Sequence, residues 1–244
     1  MLSKNQIKFI RSLKSKKQRS IHQLFVVEGS RMVLELMESN PDELAQLIVT
    51  TDYLEKNEIP PHFKYDLTDS ITFKKLTNTV SPQGIMALFN QPKMAYQEQD
   101  FMLFLDNIQD PGNMGTIIRL ADWFGVKQLV CSLDCVDVFN PKVIQSSMGS
   151  IYRVPVHYLD LQDTLRQINL PVYGAYLDGE NVYSQVLEPK GVLIMGNEGN
   201  GIRPELTQFI SQKIMIPRFG NGESLNVSTA TGILLSEFRR TTPI

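Results

Sequence analysis

The second half of this 244-residue chain alternates short apolar runs with helical stretches, and that rhythm restricts the fold more than any other feature. The runs "FMLFLD", "VKQLVC", "YRVPVHYL", "LPVYGAYLD" and "GVLIMG" read as strands. Between them lie a helix ending at Gly125, a helix over "NPKVIQSSMGS" and a helix over "DLQDTLRQIN". The second of these has Asn140 as cap, Pro141 at its first position and Gly149 just past its end, the usual order of start and stop residues. Apolar strands alternating with helices predict a mostly parallel sheet with helices on both faces. Such sheets bind ligands in crevices beyond the carboxyl ends of their strands.

Three loops in this half each follow an apolar run and are rich in glycine and small polar residues. The first is Asp110-Pro111-Gly112-Asn113-Met114-Gly115. Pro111 and Gly112 predict a turn, and Asn113 a cap for the helix that holds Ile117, Ile118 and Arg119. Arg119 interrupts an apolar stretch near that helix start; it is either an ion-paired, snorkelling side chain or a functional one. The second loop, Gly196-Asn197-Glu198-Gly199-Asn200-Gly201, lacks G-K-[ST] and the spacing of a dinucleotide fingerprint. Nucleoside triphosphates and dinucleotides are therefore disfavoured, leaving a backbone-lined pocket with one carboxylate, Glu198. That acid could equally serve only a nearby helix dipole. The third loop lies in "IPRFGNGESLNVSTATGILLSEFRR", read as a short buried strand, glycines at Gly220 and Gly222, and Ser224-Leu225-Asn226 opening an apolar helix. This pattern brings backbone N–H groups close to a ligand.

The first ninety or so residues predict a small separate α/β layer. Its strands are "LFVVEG", "LAQLIVTT", "FKYDLT" and "GIMALFN"; its helices are "SRMVLELMES", capped by Ser30, and "DSITFKKLT". The polar segment "QPKMAYQEQD" breaks the pattern, so a linker is expected at 93–100 between domains over 1–92 and 101–244. Residues 1–27 carry Lys4, Lys8, Arg11, Lys14, Lys16, Lys17 and Arg19 and no acid. Ile7, Phe9, Ile10 and Leu13 interleave with them at near-helical spacing, predicting a helix anchored on one side and positive on the other. A basic face of this kind is the footprint of phosphate binding, and its plain alternative is a solvated surface.

What the chain lacks narrows the classes further. No apolar run approaches the roughly 18 residues that span a bilayer. Three scattered histidines offer no zinc constellation, so no metal is expected. Two cysteines, Cys131 and Cys135, argue against a disulfide framework and fit a reducing cytoplasm.

Taken in order, the three loops closely resemble the three motifs of the SpoU (TrmH-type) family of RNA ribose 2′-O-methyltransferases, within the SPOUT superfamily. "NMGTIIRLA" matches the first motif, whose asparagine and arginine fall on Asn113 and Arg119. "GNEGNGI" matches the second through Glu198, and "SLN" the third through Ser224 and Asn226. The resemblance implies catalytic roles for Arg119, Asn113, Glu198, Ser224 and Asn226. It also implies S-adenosyl-L-methionine held by Gly196, Asn197, Gly201, Ile216, Leu225 and Asn226. The implied fold is an α/β domain whose C-terminal segment forms a trefoil knot, plus an L30e-like substrate-binding domain carried by "FVVEGSRMVLEL". An RNA substrate follows, ribosomal RNA being favoured over tRNA because the smaller tRNA enzymes of the family often lack the N-terminal domain.

A homodimer is implied as well, with residues from both chains completing each site. Val227, Ile233, Leu234 and Leu235 offer apolar surface for that pairing. The chain departs from the family pattern at Arg218, Thr231 and Ser236, where methionine, alanine and tyrosine are frequent. Besides a tRNA methyltransferase, the alternative is a catalytically idle RNA-binding or ribosome-assembly protein. Intact Arg119, Glu198, Ser224 and Asn226 argue against that.

Overall fold

The computed structural model describes residues 1–240 and divides the chain into two compact units. The first comprises Met1–Lys93 together with Phe139–Gly149; the second comprises Met94–Val138 and the chain from Ser150 onward.

In the first unit, the helices α1 (Lys4–Ser12) and α2 (Lys16–His22) precede β1 (Leu24–Glu28), α3 (Ser30–Ser39) and β2 (Leu44–Thr50). There follow α4 (Thr51–Leu54), β3 (Asp66–Thr68), α5 (Ser70–Leu76) and β4 (Ile85–Asn90). The sheet order is β1-β4-β2-β3, with β4 antiparallel to both neighbours and β2 parallel to β3. The basic N-terminal stretch is two helices rather than one. Ile10 and Leu13 bury against Val26, Ile48, Met86 and Leu88, and the chain turns at Leu13. Ser30 does not cap α3. The chain leaves β1 through Gly29 at φ 101°, a conformation that favours glycine. Ser30 is the first helical residue, and its N–H donates to Gln83 Oε1 at 2.7 Å.

The second unit runs β5 (Phe101–Leu105), α6 (Pro111–Trp123) and β6 (Leu129–Cys131), then lends α7 (Pro141–Ser147) to the first unit. It continues through β7 (Val156–Tyr158), α8 (Leu161–Leu165), β8 (Val172–Asn181), β9 (Gly191–Met195), β10 (Gln212–Met215) and α9 (Val227–Arg239). The six strands lie in the order β10-β8-β9-β5-β6-β7, every neighbouring pair parallel. From β5 the chain builds outward through β6 and β7, then returns to the other side of β5 for β8 and β9. The loops after β5 and β9 therefore open beside each other at the switch point, where open parallel sheets take their ligands. Both strands are buried along their whole length.

Two details of this unit differ from the sequence reading. Ile216 begins the loop after β10 instead of lying in a strand. Val227, Leu234 and Leu235 are buried within the unit, and of the four residues expected to offer apolar surface only Ile233 is half-buried. A third detail is invisible in the apolar run "LPVYGAYLD". Tyr173 and Gly174 pair with Gln212 and Lys213, whereas Ile214 and Met215 pair with Glu180 and Asn181. Residues 175–179 thus arch out of the ladder.

Candidate active site

The N-terminus of α6 is set by Asp110, whose Oδ1 accepts the Asn113 N–H at 2.9 Å, with Pro111 at the first helical position. Asn113 is thus not the cap, and Pro111-Gly112 is the first turn of the helix rather than a turn before it. The correction matters because it releases the Asn113 side chain. Its Nδ2 donates to Glu198 Oε1 at 2.7 Å. Asn226 Nδ2 donates to the same oxygen at 2.8 Å and to Asn113 Oδ1 at 2.9 Å. The Val227 N–H also points at Glu198 Oε1, at 3.3 Å. Glu198, Asn113 and Asn226 close a ring that ties together the loops after β5, β9 and β10. On its other side Asn226 caps α9: its Oδ1 accepts from the backbone N–H of Ser228 at 3.0 Å and Thr229 at 3.3 Å.

The loop after β9 is held by its own atoms. Asn197 Oδ1 accepts the N–H of Gly199 at 2.9 Å and of Asn200 at 3.2 Å, while its Nδ2 donates to the Asn107 carbonyl at 2.9 Å. Gly196 passes so close to the returning chain that a Cβ there would lie 2.2 Å from the Gly201 carbonyl carbon. Only glycine fits. A pair that the sequence reading missed fastens this loop to the end of β5. Asp106 is fully buried and accepts from the Arg203 backbone N–H at 2.8 Å and from its Nε at 2.7 Å. The hydrogen bond to Asp106 pushes the Arg203 guanidinium pKa further up. The available signal was an aspartate ending a wholly apolar run, because a buried carboxylate demands a partner. Behind the loop after β5, Cys135 Sγ accepts the Ile108 N–H at 3.2 Å. Burial pushes the Cys131 thiol well up, whereas its hydrogen bond to Cys135 lowers the pKa of the latter.

Beside the ring lies a cavity of about 670 Å³, within the range of small-molecule sites. It is walled by the loop after β9, the loop after β10 and the arch of β8. Gly196, Asn197, Gly201, Ile216, Leu225, Glu198 and Ser224 all line it. Asn226 does not, because its side chain is consumed by the ring and the cap. Gly-rich backbone on one side and Ile202, Ile216, Leu225 and Val227 on another suit a nucleoside with polar edges, so the residues present fit S-adenosylmethionine.

Arg119 stands apart from both ring and cavity. It is exposed on α6 and makes no hydrogen bond or ion pair among the described residues. Six residues beyond Asn113, it sits about 9 Å further along the helix and on a different face. Of the departures, Arg218 lines the cavity, and Ser236 lines a groove of about 560 Å³ between α6 and α9. Buried Thr231 bonds back to the Val227 carbonyl at 2.7 Å.

In the first unit, Lys4, Lys8, Arg11, Lys14, Lys16 and Lys17 are exposed. Lys8, Arg11 and Lys14 share a groove with Phe9 and His22. Arg19 is the exception to the expected basic face. It is buried, and its Nη1 donates to the carbonyls of Leu13 at 2.9 Å and Lys14 at 2.8 Å. The turn between α1 and α2 leaves those carbonyls without helical partners, and Arg19 supplies the donors. Among the described residues no group of histidine, cysteine, aspartate and glutamate could hold a metal, and no helix is long and apolar enough to cross a membrane.

Comparison with known proteins places these loops in context. Residues 100–236 match the SpoU rRNA Methylase family and residues 4–87 the MRM3-like substrate binding domain. The chain is 31% identical over 242 residues, 97% of each chain, to the 23S rRNA (guanosine(2553)-2′-O)-methyltransferase RlmP of Bacillus subtilis. Among solved structures, a TrmH-family protein from Porphyromonas gingivalis superposes with a TM-score of 0.85 at 40% identity, covering 99% of this chain and 100% of that one. An AdoMet-bound rRNA methyltransferase from Sinorhizobium meliloti gives 0.84 at 27% identity, covering 100% and 97%. With a family match across more than half its length and a relative matched from end to end, the chain belongs to the SpoU rRNA methylase family.

Proposed function

We propose that this chain is an S-adenosylmethionine-dependent methyltransferase acting on ribose 2′-hydroxyls of 23S ribosomal RNA, as a homodimer in the cytoplasm. The observation that carries the reading is the Glu198–Asn113–Asn226 ring beside a cavity lined by glycine-rich backbone. The ring gives the three loops one rigid arrangement, and the cavity fits the cofactor. When bound, S-adenosylmethionine supplies an electrophilic methyl group on its sulfonium. The chain's own task is to hold a hydroxyl in line with that methyl and to stabilise the charge that develops on its oxygen. Arg119 is assigned the second role. A guanidinium stays protonated in proteins, so it works as a clamp on the 2′-oxygen and its neighbouring phosphate, not as a base. Ser224, on the cavity wall, is assigned to position the hydroxyl.

Arg119 is exposed and does not line the cavity of its own chain, and this supports a dimer in which it serves the partner's site. Leu120, next to it, lines the groove between α6 and α9 with Thr116, Ile233 and half-exposed Tyr183. That groove is the proposed seat of the second copy. The C-terminal trefoil knot belongs to the same reading. Ribosomal RNA is preferred over tRNA because the similarity to RlmP runs through both units, the first of which matches a substrate-binding domain. The test is to map 2′-O-methyl groups in RNA from a strain lacking the gene. One missing 23S rRNA modification, restored by the wild-type chain and not by Arg119→Ala, is expected. A modification missing from tRNA instead would favour the alternative, and a full complement in both would reject the proposal.

A further inference from the structure

Besides Glu223, two charged side chains in the cavity are left over once the ring is built. Arg218 donates from Nη1 to the Gly222 carbonyl at 3.1 Å and makes no other hydrogen bond or ion pair among the described residues, so most of its N–H fork is free. Asp178 lines the same cavity from the arch of β8 and makes no hydrogen bond or ion pair among the described residues. The two are not paired with each other. An acid and a guanidinium that share one cavity without meeting form a site for a ligand carrying both charges.

The arch holds Asp178 in place. At its base, a Cβ on Gly174 would lie 2.7 Å from the side chains of Ile210 and Tyr176; at its end, one on Gly179 would lie 2.7 Å from the backbone of Lys213 and Ile214. Lys213 Nζ stands 4.5 Å above the Tyr176 ring and fastens the middle. Neither of the other two acids on the cavity wall is placed this way. Glu198 is spent on the ring; Glu223, exposed like Asp178 and Arg218, lies in the same loop after β10 as Arg218, whereas Asp178 lies on the arch.

We propose that Arg218 and Asp178 read the amino-acid end of the cofactor, the guanidinium taking its α-carboxylate and the carboxylate its α-ammonium. The inference rests on the reading that this cavity holds S-adenosylmethionine. It makes Arg218 a recognition residue for the cofactor.

The test uses titration calorimetry of the full chain with two ligands. S-adenosylhomocysteine carries the amino-acid end; 5′-methylthioadenosine is the same nucleoside thioether without it. Arg218→Met and Asp178→Asn are each expected to weaken S-adenosylhomocysteine about tenfold, the usual size of a lost charge-assisted hydrogen bond at a partly open site. Methylthioadenosine should bind both variants as it binds the wild type, which also shows that they fold. Glu223→Gln should change neither affinity. Equal losses for the two ligands, or no loss, overturn the inference. So does a selective loss from Glu223→Gln in place of Asp178→Asn, or a fall in RNA affinity from Arg218→Met with S-adenosylhomocysteine binding intact. Failure of the wild type to bind either ligand rejects the cofactor reading first, and the inference with it.

Discussion

One carboxylate oxygen, Glu198 Oε1, accepts from Asn113, Asn226 and the Val227 backbone, so three donors from two loops meet on a single atom. In Glu198→Gln the amide oxygen can still accept in the place of Oε1, so the change removes the negative charge that strengthens the three bonds and loosens the ring. Methyl transfer should fall by roughly tenfold or more, with the cofactor still bound, because loop placement is lost rather than cavity wall. Unchanged kcat/KM would show the ring to be dispensable. Arg119→Ala should cost about 10²–10³ in rate while calorimetry shows S-adenosylmethionine binding retained. Arg119→Lys should rescue little, since a point charge does not reproduce the fork. Near-normal turnover of either variant would remove Arg119 from the mechanism. Asn113, Glu198 and Asn226 are picked out in the sequence by the resemblance of their segments to the family's motifs. Their joint arrangement is not, because it spans 113 residues between Asn113 and Asn226. Asp106 and Arg203, 97 residues apart, escape for the same reason.

At the level of elements, local periodicity carries most of the reading. Every strand expected in the first ninety residues forms, and the capping of α7 by Asn140 is as expected, its Oδ1 accepting the Lys142 N–H at 2.9 Å. Periodicity says nothing about where a run leaves its sheet, so the arch of β8 is hidden inside an unbroken apolar stretch. It also does not tell a surface arginine from a buried one when both lie among lysines, so Arg19 reads like its neighbours. The two kinds of basic residue predict different outcomes. Neutralising Lys8, Arg11 and Lys14 should weaken RNA binding and reduce its log–log salt slope by roughly 0.7–0.9 for each phosphate no longer neutralised. Arg19→Met should leave the slope in place and lower the melting temperature, since the Leu13 and Lys14 carbonyls lose their donor in a buried turn. Affinity at several salt concentrations and a thermal melt on each variant separate the two. An unchanged slope in the triple variant would move RNA recognition elsewhere in the first unit.

For the whole molecule, burial of Val227, Leu234 and Leu235 reduces the apolar surface expected from the sequence to drive pairing to Ile233. The second unit still exposes Trp123, Leu133, Leu177, Val186 and Phe219, and it carries the groove between α6 and α9. If the groove seats a second copy, light scattering should return twice the protomer mass of 27.7 kDa. Ile233→Glu, at the half-buried edge of that groove, should then return a single protomer with little activity and unimpaired S-adenosylhomocysteine binding. A fully active single protomer would sink the dimer and the reach of Arg119 across it. The loan of α7 to the first unit has a different consequence. The polypeptide passes between the units three times, so neither is a continuous stretch of chain. Val143 and Ile144 are buried, and Phe139 lies 5.0 Å from the Phe25 ring. A gene fragment beginning at residue 101 would carry this helix away from the strands it covers, baring apolar surface on both pieces. The halves of this enzyme are thus not interchangeable modules: either could be recombined with a new companion only if the eleven residues from Phe139 to Gly149 travelled with the N-terminal piece.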